Sequence, residues 1–125
     1  MKKICFGLAL MLAGTTASFA ANAWKEADVG GHKIYTDAHG MTLYTYDKDA
    51  KGASNCDAKC ATNWPPLKAS ASAKGEGDWT VIKRKDGSHM WAYEGKPLYT
   101  FKKDKKAGET KGDGVGGVWH TAKAG

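Results

Sequence analysis

The chain has 125 residues and a formal net charge of +6. A chain of this size is long enough for one small domain and too short for two domains with separate hydrophobic cores. The positive charge is almost wholly lysine, because Arg84 is the only arginine. Lysine lacks the planar fork that reads base edges and phosphates, which argues against sequence-specific binding of nucleic acid.

The N-terminal segment has the composition of a secretory signal peptide. Met1-Lys2-Lys3 is basic, an apolar run covers 4–13, and small residues follow. The run is too short to cross a bilayer, which needs about twenty apolar residues. We predict a signal peptide at 1–20, cleaved after Ala20 or after Ala23, and a single mature β domain at 24–125. No other segment can cross a membrane, so we expect the protein in the periplasm or outside the cell.

Short β-strands separated by turns are predicted along the mature chain. Alternating side chains indicate the strands, and dipeptides such as Asp86-Gly87 and Glu94-Gly95 indicate the turns. No window of about a dozen residues has the apolar period of a helix, and only a short helical turn around 56–63 is compatible with the pattern. The predicted strands are, in chain order, 24–29, 33–36, 41–46, 79–85, 89–93 and 97–101.

Two segments of the chain repeat at an offset of 55 residues. Residues 43–49, Leu-Tyr-Thr-Tyr-Asp-Lys-Asp, recur at 98–104 as Leu-Tyr-Thr-Phe-Lys-Lys-Asp, and the offset extends to other positions outside these segments. A repeated unit usually buries its apolar face against its sister copy. We therefore predict an all-β domain of two tandem, pseudo-equivalent antiparallel units (meanders), with repeat copies at 32–69 and 87–124.

The repeat contains aromatic residues whose side chains alternate along each strand. We predict that they fill the core between the copies, because a small β domain needs its aromatic side chains inside. The alternative is an aromatic face that grips a planar ligand or a sugar ring. Asp49 and Asp104 follow the strands, where a carboxylate can accept backbone N–H groups and fix the next turn. The repeated aromatic residues are Tyr44, Tyr46, Trp64, Tyr99, Phe101 and Trp119.

Cys56 and Cys60 are the cysteines that remain after removal of the signal peptide. A C-x-x-x-C pair in an oxidising compartment most simply forms a disulfide, here one that pins the loop at 54–66. A c-type haem requires C-x-x-C-H, and a structural zinc site requires more thiolates or a paired histidine. We predict the disulfide.

Sequence motifs for catalysis are absent. There is no G-x-S-x-G, no H-E-x-x-H and no free cysteine in the mature chain. Residues 112–117 match G-x-G-x-x-G literally, but only eight residues follow, too few for the helix and strand of a dinucleotide-binding unit. We predict instead that these glycines allow positive φ values or close approach of the chain before the strand that carries Trp119.

The four histidines are unrelated by the 55-residue offset, so the repeat does not explain them. His39 lies two residues from Met41, and His89 adjoins Met90. Histidine with methionine is a soft ligand set that suits copper in an oxidising compartment. A carrier of copper or another redox cofactor is retained as the alternative function, with His39, Met41, His89 and Met90 as its ligands. Exposed, unliganded histidines are the simpler interpretation.

The densest run of charge is lysine-rich and lies in the second copy. It can face an anionic surface, an acidic glycan or an acidic partner protein. A solubilising turn is the simpler interpretation, and lysines at a strand edge also discourage aggregation. The lysines of this run, called the lysine cluster below, are Lys102, Lys103, Lys105 and Lys106.

The paired motifs resemble a known family. Tyr44-x-Tyr46-x-x-Asp49 and its copy at 99–104 match the Y-x-[FWY]-x-x-D signature of bacterial secreted repeats, often called predicted lipoproteins. The resemblance covers about residues 30–121 and implies a secreted protein whose biochemical role is unassigned. Many members carry a lipobox cysteine at the cleavage site, whereas Cys5 here lies at the start of the apolar run and no cysteine directly follows Ala20 or Ala23, so we do not expect a lipid anchor.

These observations predict an exported, noncatalytic module of the cell envelope. We expect it to bind a protein, a glycan or another surface component through loops on the repeated scaffold. No cofactor is expected, with copper as the alternative. A noncatalytic role is favoured, and an enzyme of unknown class is the third hypothesis.

Overall fold

Antiparallel β-strands form the framework of the protein, and the all-β prediction is confirmed. The computed structural model describes residues 23–124, so the predicted signal peptide lies outside the described residues. Within 23–124 the helices are one short α-helix and one 3-10 turn. The elements are β1 (Trp24–Val29), β2 (His32–Asp37), β3 (Tyr44–Tyr46), α1 (Lys59–Asn63), β4 (Lys68–Ala69), β5 (Trp79–Lys83), β6 (His89–Tyr93), β7 (Lys96–Pro97), the 3-10 turn (Val115–Gly117) and β8 (Trp119–Thr121).

The strands form three small antiparallel sheets. β1 and β2 make a hairpin in which Trp24 lies opposite Asp37. β3 pairs with β8, with Tyr44 opposite Thr121. The third sheet has the order β4-β6-β5, and β7 pairs with β6. No helix within residues 23–124 is long and apolar enough to cross a membrane.

The two copies meet at their repeated tyrosines. The Tyr44 amide donates to the Tyr99 carbonyl at 2.7 Å, and the Tyr99 amide donates back to the Tyr44 carbonyl at 3.0 Å. This reciprocal pair is the antiparallel bridge expected when two equivalent strands run in opposite directions about a twofold axis. The 55-residue offset therefore corresponds to an approximate twofold relation centred on these two residues.

The last segment of each copy is hydrogen-bonded to the motif strand of the other copy. The Asp47 amide donates to the Val118 carbonyl at 2.8 Å, and the equivalent Lys102 amide donates to the Asn63 carbonyl at 3.0 Å. β3 of the first copy likewise pairs with β8, which belongs to the second. The two meanders are thus interleaved, because neither copy completes its own ladder of hydrogen bonds.

The alternation within the motif sorts its side chains into two cores. Leu43 and Leu98 point to one side, and Tyr44 and Tyr99 point to the other. The first core contains Tyr35, Leu43, Leu67, Trp79, Trp91, Leu98 and Ala122. The second contains Tyr44, Cys56, Trp64, Met90, Tyr99, Phe101 and Trp119.

Three predicted strands are shorter in the structure: the strand predicted at 79–85 is Trp79–Lys83, and the other two carry the repeated motif. Of the segment 41–46 only Tyr44–Tyr46 is a strand, with an isolated bridge between Thr36 and Thr42 before it. Of the segment 97–101 the strand is Lys96–Pro97, after which Tyr99 bridges to both Tyr44 and Pro66. These segments change pairing partners along their length, so no single ladder continues for more than a few residues.

Candidate functional site

The motif tyrosines and aspartates bond between the copies. The Tyr44 hydroxyl donates to Asp104 Oδ2 at 2.5 Å, and the Tyr99 hydroxyl donates to Asp49 Oδ2 at 2.7 Å. The second oxygen of each carboxylate accepts a backbone N–H, from Lys111 to Asp104 at 2.9 Å and from residue 55 to Asp49 at 2.6 Å. Each aspartate therefore ties the phenol of the opposite copy to the turn that follows its own strand.

Burial keeps the two motif phenols protonated. It raises the pKa of both Tyr44 and Tyr99, and the hydrogen bond to the opposite aspartate raises each further. Burial also raises the pKa of Asp49, against the hydrogen bonds from Asn55 and Tyr99 that lower it. The two phenols therefore remain hydrogen-bond donors across the ordinary range of pH.

Four aromatic rings stack in a continuous column through the second core. Tyr46 stacks on Trp119 with ring centroids 4.3 Å apart, Trp119 on Trp64 at 3.7 Å, and Trp64 on Phe101 at 4.0 Å. The Trp64 and Trp119 rings are parallel within 2°. Because Tyr46 and Phe101 are equivalent under the offset, the column runs between equivalent ends of the two copies.

Gly112, within the predicted glycine run, makes room for this column. A Cβ atom at this position would lie 2.7 Å from Cη2 of Trp64, closer than real Cβ contacts, and 3.0 Å from Cε1 of Tyr44, tighter than most. The close approach of this glycine to the two rings explains why the segment carries no side chain there.

The disulfide loop rests on a buried arginine that the sequence analysis did not single out. Cys56 and Cys60 are bonded as predicted, with Cα atoms 5.2 Å apart. Arg84 donates from Nη2 to the Cys56 carbonyl at 2.6 Å and from Nη1 to Ser54 Oγ at 3.0 Å. Ser54 also bonds the Tyr99 hydroxyl, at 2.6 Å. The sequence feature that could have drawn attention to Arg84 is that it is the only arginine in the chain.

A polar groove lies at the Tyr46 end of the column. It consists of two adjoining cavities, of about 340 and about 580 Å³, that share four lining residues. Tyr46 and Lys51 also line the first cavity, and Tyr93, His120 and Lys123 also line the second. We call this the first-repeat groove. The shared residues are Thr45, Asp47, Glu94 and Lys96.

A hydrogen-bonded histidine–aspartate contact and an unusual turn lie on the rim of the first-repeat groove. His120 Nε2 is 2.8 Å from Asp47 Oδ2, and both side chains are about half exposed (45% and 53%), so the pair contributes little to stability. Glu94 has a φ of 52°, in the left-handed region that disfavours residues with a Cβ. Gly95 follows at 81°, so the two residues form the tight turn between β6 and β7.

The lysine cluster lies at the Phe101 end of the column. All four of its lysines are exposed. Beside them is a cleft of about 280 Å³, called the lysine cleft below, whose apolar lining includes Trp64, Phe101 and Val115. Val115 is 39% exposed, an unusual state for a large hydrophobic side chain within residues 23–124. Asn63, Lys102 and Lys103 complete the lining.

Comparison with known proteins identifies the family. A family model described as a secreted repeat of unknown function matches residues 30–68 and 80–123. The chain belongs to this family. The predicted resemblance is thereby confirmed, and the family's description supports secretion. The chain matches no curated protein and no solved structure.

In this secreted repeat, the four residues considered for copper occupy different environments. His39 is exposed on the turn that Asp37 stabilises, and the Met41 amide also donates to that carboxylate. Met90 is fully buried, and its sulfur accepts a hydrogen bond from the Arg84 guanidinium at 3.3 Å. A fixed cation at that sulfur opposes coordination of a second cation.

Acidic and histidine side chains of the described residues do not complete a copper site around these four residues. Within 23–124, no group of three or more histidine, cysteine, aspartate or glutamate side chains is placed to hold a metal ion. His89 is half-buried and lies beside Met90 on β6, where neighbouring side chains point to opposite faces. The copper carrier remains a prediction without an observation that favours it.

Proposed function

We propose that this secreted repeat protein is a noncatalytic module of the cell envelope that binds an anionic glycan through the lysine cluster. Membership of a secreted family supports an envelope or extracellular role. The exported form carries no lipid anchor in this proposal, since Cys5 lies at the start of the apolar run and no cysteine directly follows either predicted cleavage site.

The charge difference between the two copies is the observation that carries the proposal. The residues that bond the copies together, Tyr44 and Asp49 in the first and Tyr99 and Asp104 in the second, are the same in both. The loop 47–51 has two lysines and two aspartates, whereas the equivalent loop 102–106 has four lysines and one aspartate. Asp47 corresponds to Lys102 and Ala50 to Lys105. Because the first copy forms the same fold without lysines at the positions of Lys102 and Lys105, the fold does not require these two lysines.

The lysine cleft favours a glycan over a purely electrostatic contact. Phe101 and Trp64 give it an apolar floor, and Lys102 and Lys103 stand at its edge. A sugar ring presents an apolar C–H face that fits such a floor, while its acidic substituents meet the lysines. A cavity of a few hundred Å³ lined by aromatic rings and a few charged groups is typical of small-ligand sites.

Binding to an anionic polysaccharide tests the proposal. Heparin serves as the probe and dextran as the uncharged comparison. The test variant replaces the whole lysine cluster by Gln. The control variant lowers the net charge equally by replacing four other exposed lysines, Lys25, Lys33, Lys68 and Lys74.

The test variant is expected to lose retention on immobilised heparin, and the control variant is expected to keep most of it. Retention of the wild type should fall as salt rises, because the lysines are exposed and their field is screened. Equal loss in both variants would mean that net charge alone causes retention. The absence of wild-type retention would reject the proposal.

The mass of the mature protein tests its export. Cleavage after Ala20 or Ala23 and two missing hydrogens for the disulfide are expected in a protein purified from the exporting host. An added acyl mass would contradict the absence of a lipid anchor.

A further inference from the structure

We propose that the first-repeat groove binds a neutral oligosaccharide of about two or three sugar rings. This site is separate from the lysine cluster and lies at the other end of the aromatic column. Its two adjoining cavities, of about 340 and about 580 Å³, fall in the range of ligand sites. They share Asp47 and Glu94, so one extended ligand can occupy both.

Tyr46 provides a flat aromatic surface in this groove. Its ring stacks on Trp119 at 4.3 Å, with 15° between the planes, and also lines the first cavity. A ring supported on one face by the aromatic column is held in one orientation before a ligand arrives. Such preorganisation lowers the entropic cost of binding. The apolar face of a sugar ring is a suitable partner for the supported ring.

The polar lining favours a ligand without net charge. The carboxylates of Asp47 and Glu94 accept hydrogen bonds, and the ammonium groups of Lys51 and Lys96 donate them. Three carboxylates (Asp47, Asp49 and Glu94) and three lysines (Lys51, Lys96 and Lys123) line the two cavities and their charges cancel, so a charged ligand gains nothing from the groove as a whole. Sugar hydroxyls are both donors and acceptors and can use each of these groups, through charge-assisted hydrogen bonds.

Glu94 gives a second, independent reason to regard the groove as a binding site. Glu94 is the first of the two central residues of its turn, and both central residues have positive φ. Asparagine or glycine fills this position at lower cost. Among residues 23–124 its carboxylate makes no hydrogen bond within 3.5 Å and no ion pair within 4.0 Å. A strained residue whose functional group serves no structural contact is typical of a ligand site.

The groove is also specific to one copy. The residues equivalent to Asp47 and His120 are Lys102 and Pro65, so the second copy cannot build the same lining. The twofold framework is therefore complete without these side chains. Their presence together on one rim is explained by a ligand better than by the fold.

Substitution of Glu94 separates stability from binding. Glu94→Asn is expected to raise the thermal midpoint by about 4 °C, because asparagine tolerates the left-handed conformation, and to lower the affinity for ligand at least tenfold. Glu94→Gln keeps the length of the side chain and removes the charge, so we expect an intermediate loss. Glu76→Gln, at an exposed position outside the groove, is the control.

Three neutral trisaccharides serve as probes: cellotriose, maltotriose and tri-N-acetylchitotriose. Binding is followed by titration calorimetry and by chemical shifts of residues that line the groove. We expect at least one probe to shift the signals of Tyr46 and Glu94 and to bind Glu76→Gln as it binds the wild type. The variant that lacks the lysine cluster should also bind normally, which separates this site from the proposed glycan-binding function.

Two results would overturn the inference. One is that none of the three trisaccharides shifts the groove signals at millimolar concentration. The other is that Glu94→Asn binds the probe with wild-type affinity, which would show that the carboxylate is not part of the site.

Discussion

Removal of the Tyr44 hydroxyl tests whether the bonds between the copies stabilise the fold. Tyr44→Phe keeps the ring, and with it the edge contact to Trp64 at 5.5 Å, and deletes only the oxygen. That oxygen donates to Asp104 and accepts the Gly112 amide at 3.2 Å. The variant therefore leaves one carboxylate oxygen and one backbone N–H without their partner in a buried region.

The expected cost follows from these two contacts. A hydrogen bond to a charged group contributes about 1.5–3 kcal/mol, and a buried N–H left unpaired costs about 1 kcal/mol or more. Asp104 is only 6% exposed, so water cannot readily replace the phenol. We expect the free energy of unfolding to fall by about 2–4 kcal/mol, a large fraction of the 5–15 kcal/mol typical of a domain.

Urea denaturation followed by tryptophan fluorescence measures this change. Tyr46→Phe is the matched control, because it deletes the same atom from the second tyrosine of the first motif. Tyr46 is partly exposed, and its hydroxyl makes no hydrogen bond among the described residues. We expect the control to lie within about 0.5 kcal/mol of the wild type. An unchanged m-value will show that the denatured state is comparable.

A double-mutant cycle with Asp104→Asn identifies the bond itself. If the Tyr44 hydroxyl acts through Asp104, the two substitutions will be non-additive by about 1 kcal/mol or more. The reasoning is refuted if Tyr44→Phe costs no more than Tyr46→Phe, or if the two substitutions are additive.

Two further predictions concern the disulfide and the tyrosines. Replacing Cys56 and Cys60 together by Ala is expected to lower the free energy of unfolding by about 2 kcal/mol, because the short loop constrains the unfolded chain only modestly; an unchanged urea midpoint would contradict this. Burial raises the pKa of Tyr35 to about 12 and raises those of Tyr44 and Tyr99 above the ordinary value of 10.0. The folded state then holds protons that the unfolded state has released, so the free energy of unfolding is expected to fall as pH rises above about 10. Urea unfolding at about pH 9 and about pH 11 checks this, and equal stability at both would count against it.

Features that depend on local pattern could be predicted from the sequence. Alternation placed Leu43 and Tyr44 on opposite faces, and the structure assigns them to different cores. The spacing of Cys56 and Cys60 was short enough for a disulfide within one loop, and the 55-residue offset identified which residues are equivalent. Each of these inferences needs only neighbours in the chain or a comparison of two segments.

Pairing between the copies could not be predicted from the offset. The 55-residue offset indicates that Tyr44 and Tyr99 occupy similar environments. It does not indicate whether each tyrosine bonds the aspartate of its own copy or that of the other copy. The twofold arrangement decides this, since antiparallel strands meeting at the two tyrosines bring each phenol to the opposite carboxylate. The same arrangement exchanges the last segments of the copies, which shortened the strands predicted at 41–46 and 97–101.

Of the two candidate sites, the lysine cluster could be predicted from the sequence, and the first-repeat groove could not. The sequence by itself determined the β class, the repeat, the disulfide and the lysine cluster, because each is a local pattern or a comparison of segments. Tertiary structure alone decided that Arg84 is buried under the disulfide loop and that Tyr46, Glu94 and His120 line one groove. These residues are far apart in the chain, and only the folding of the interleaved copies brings them together.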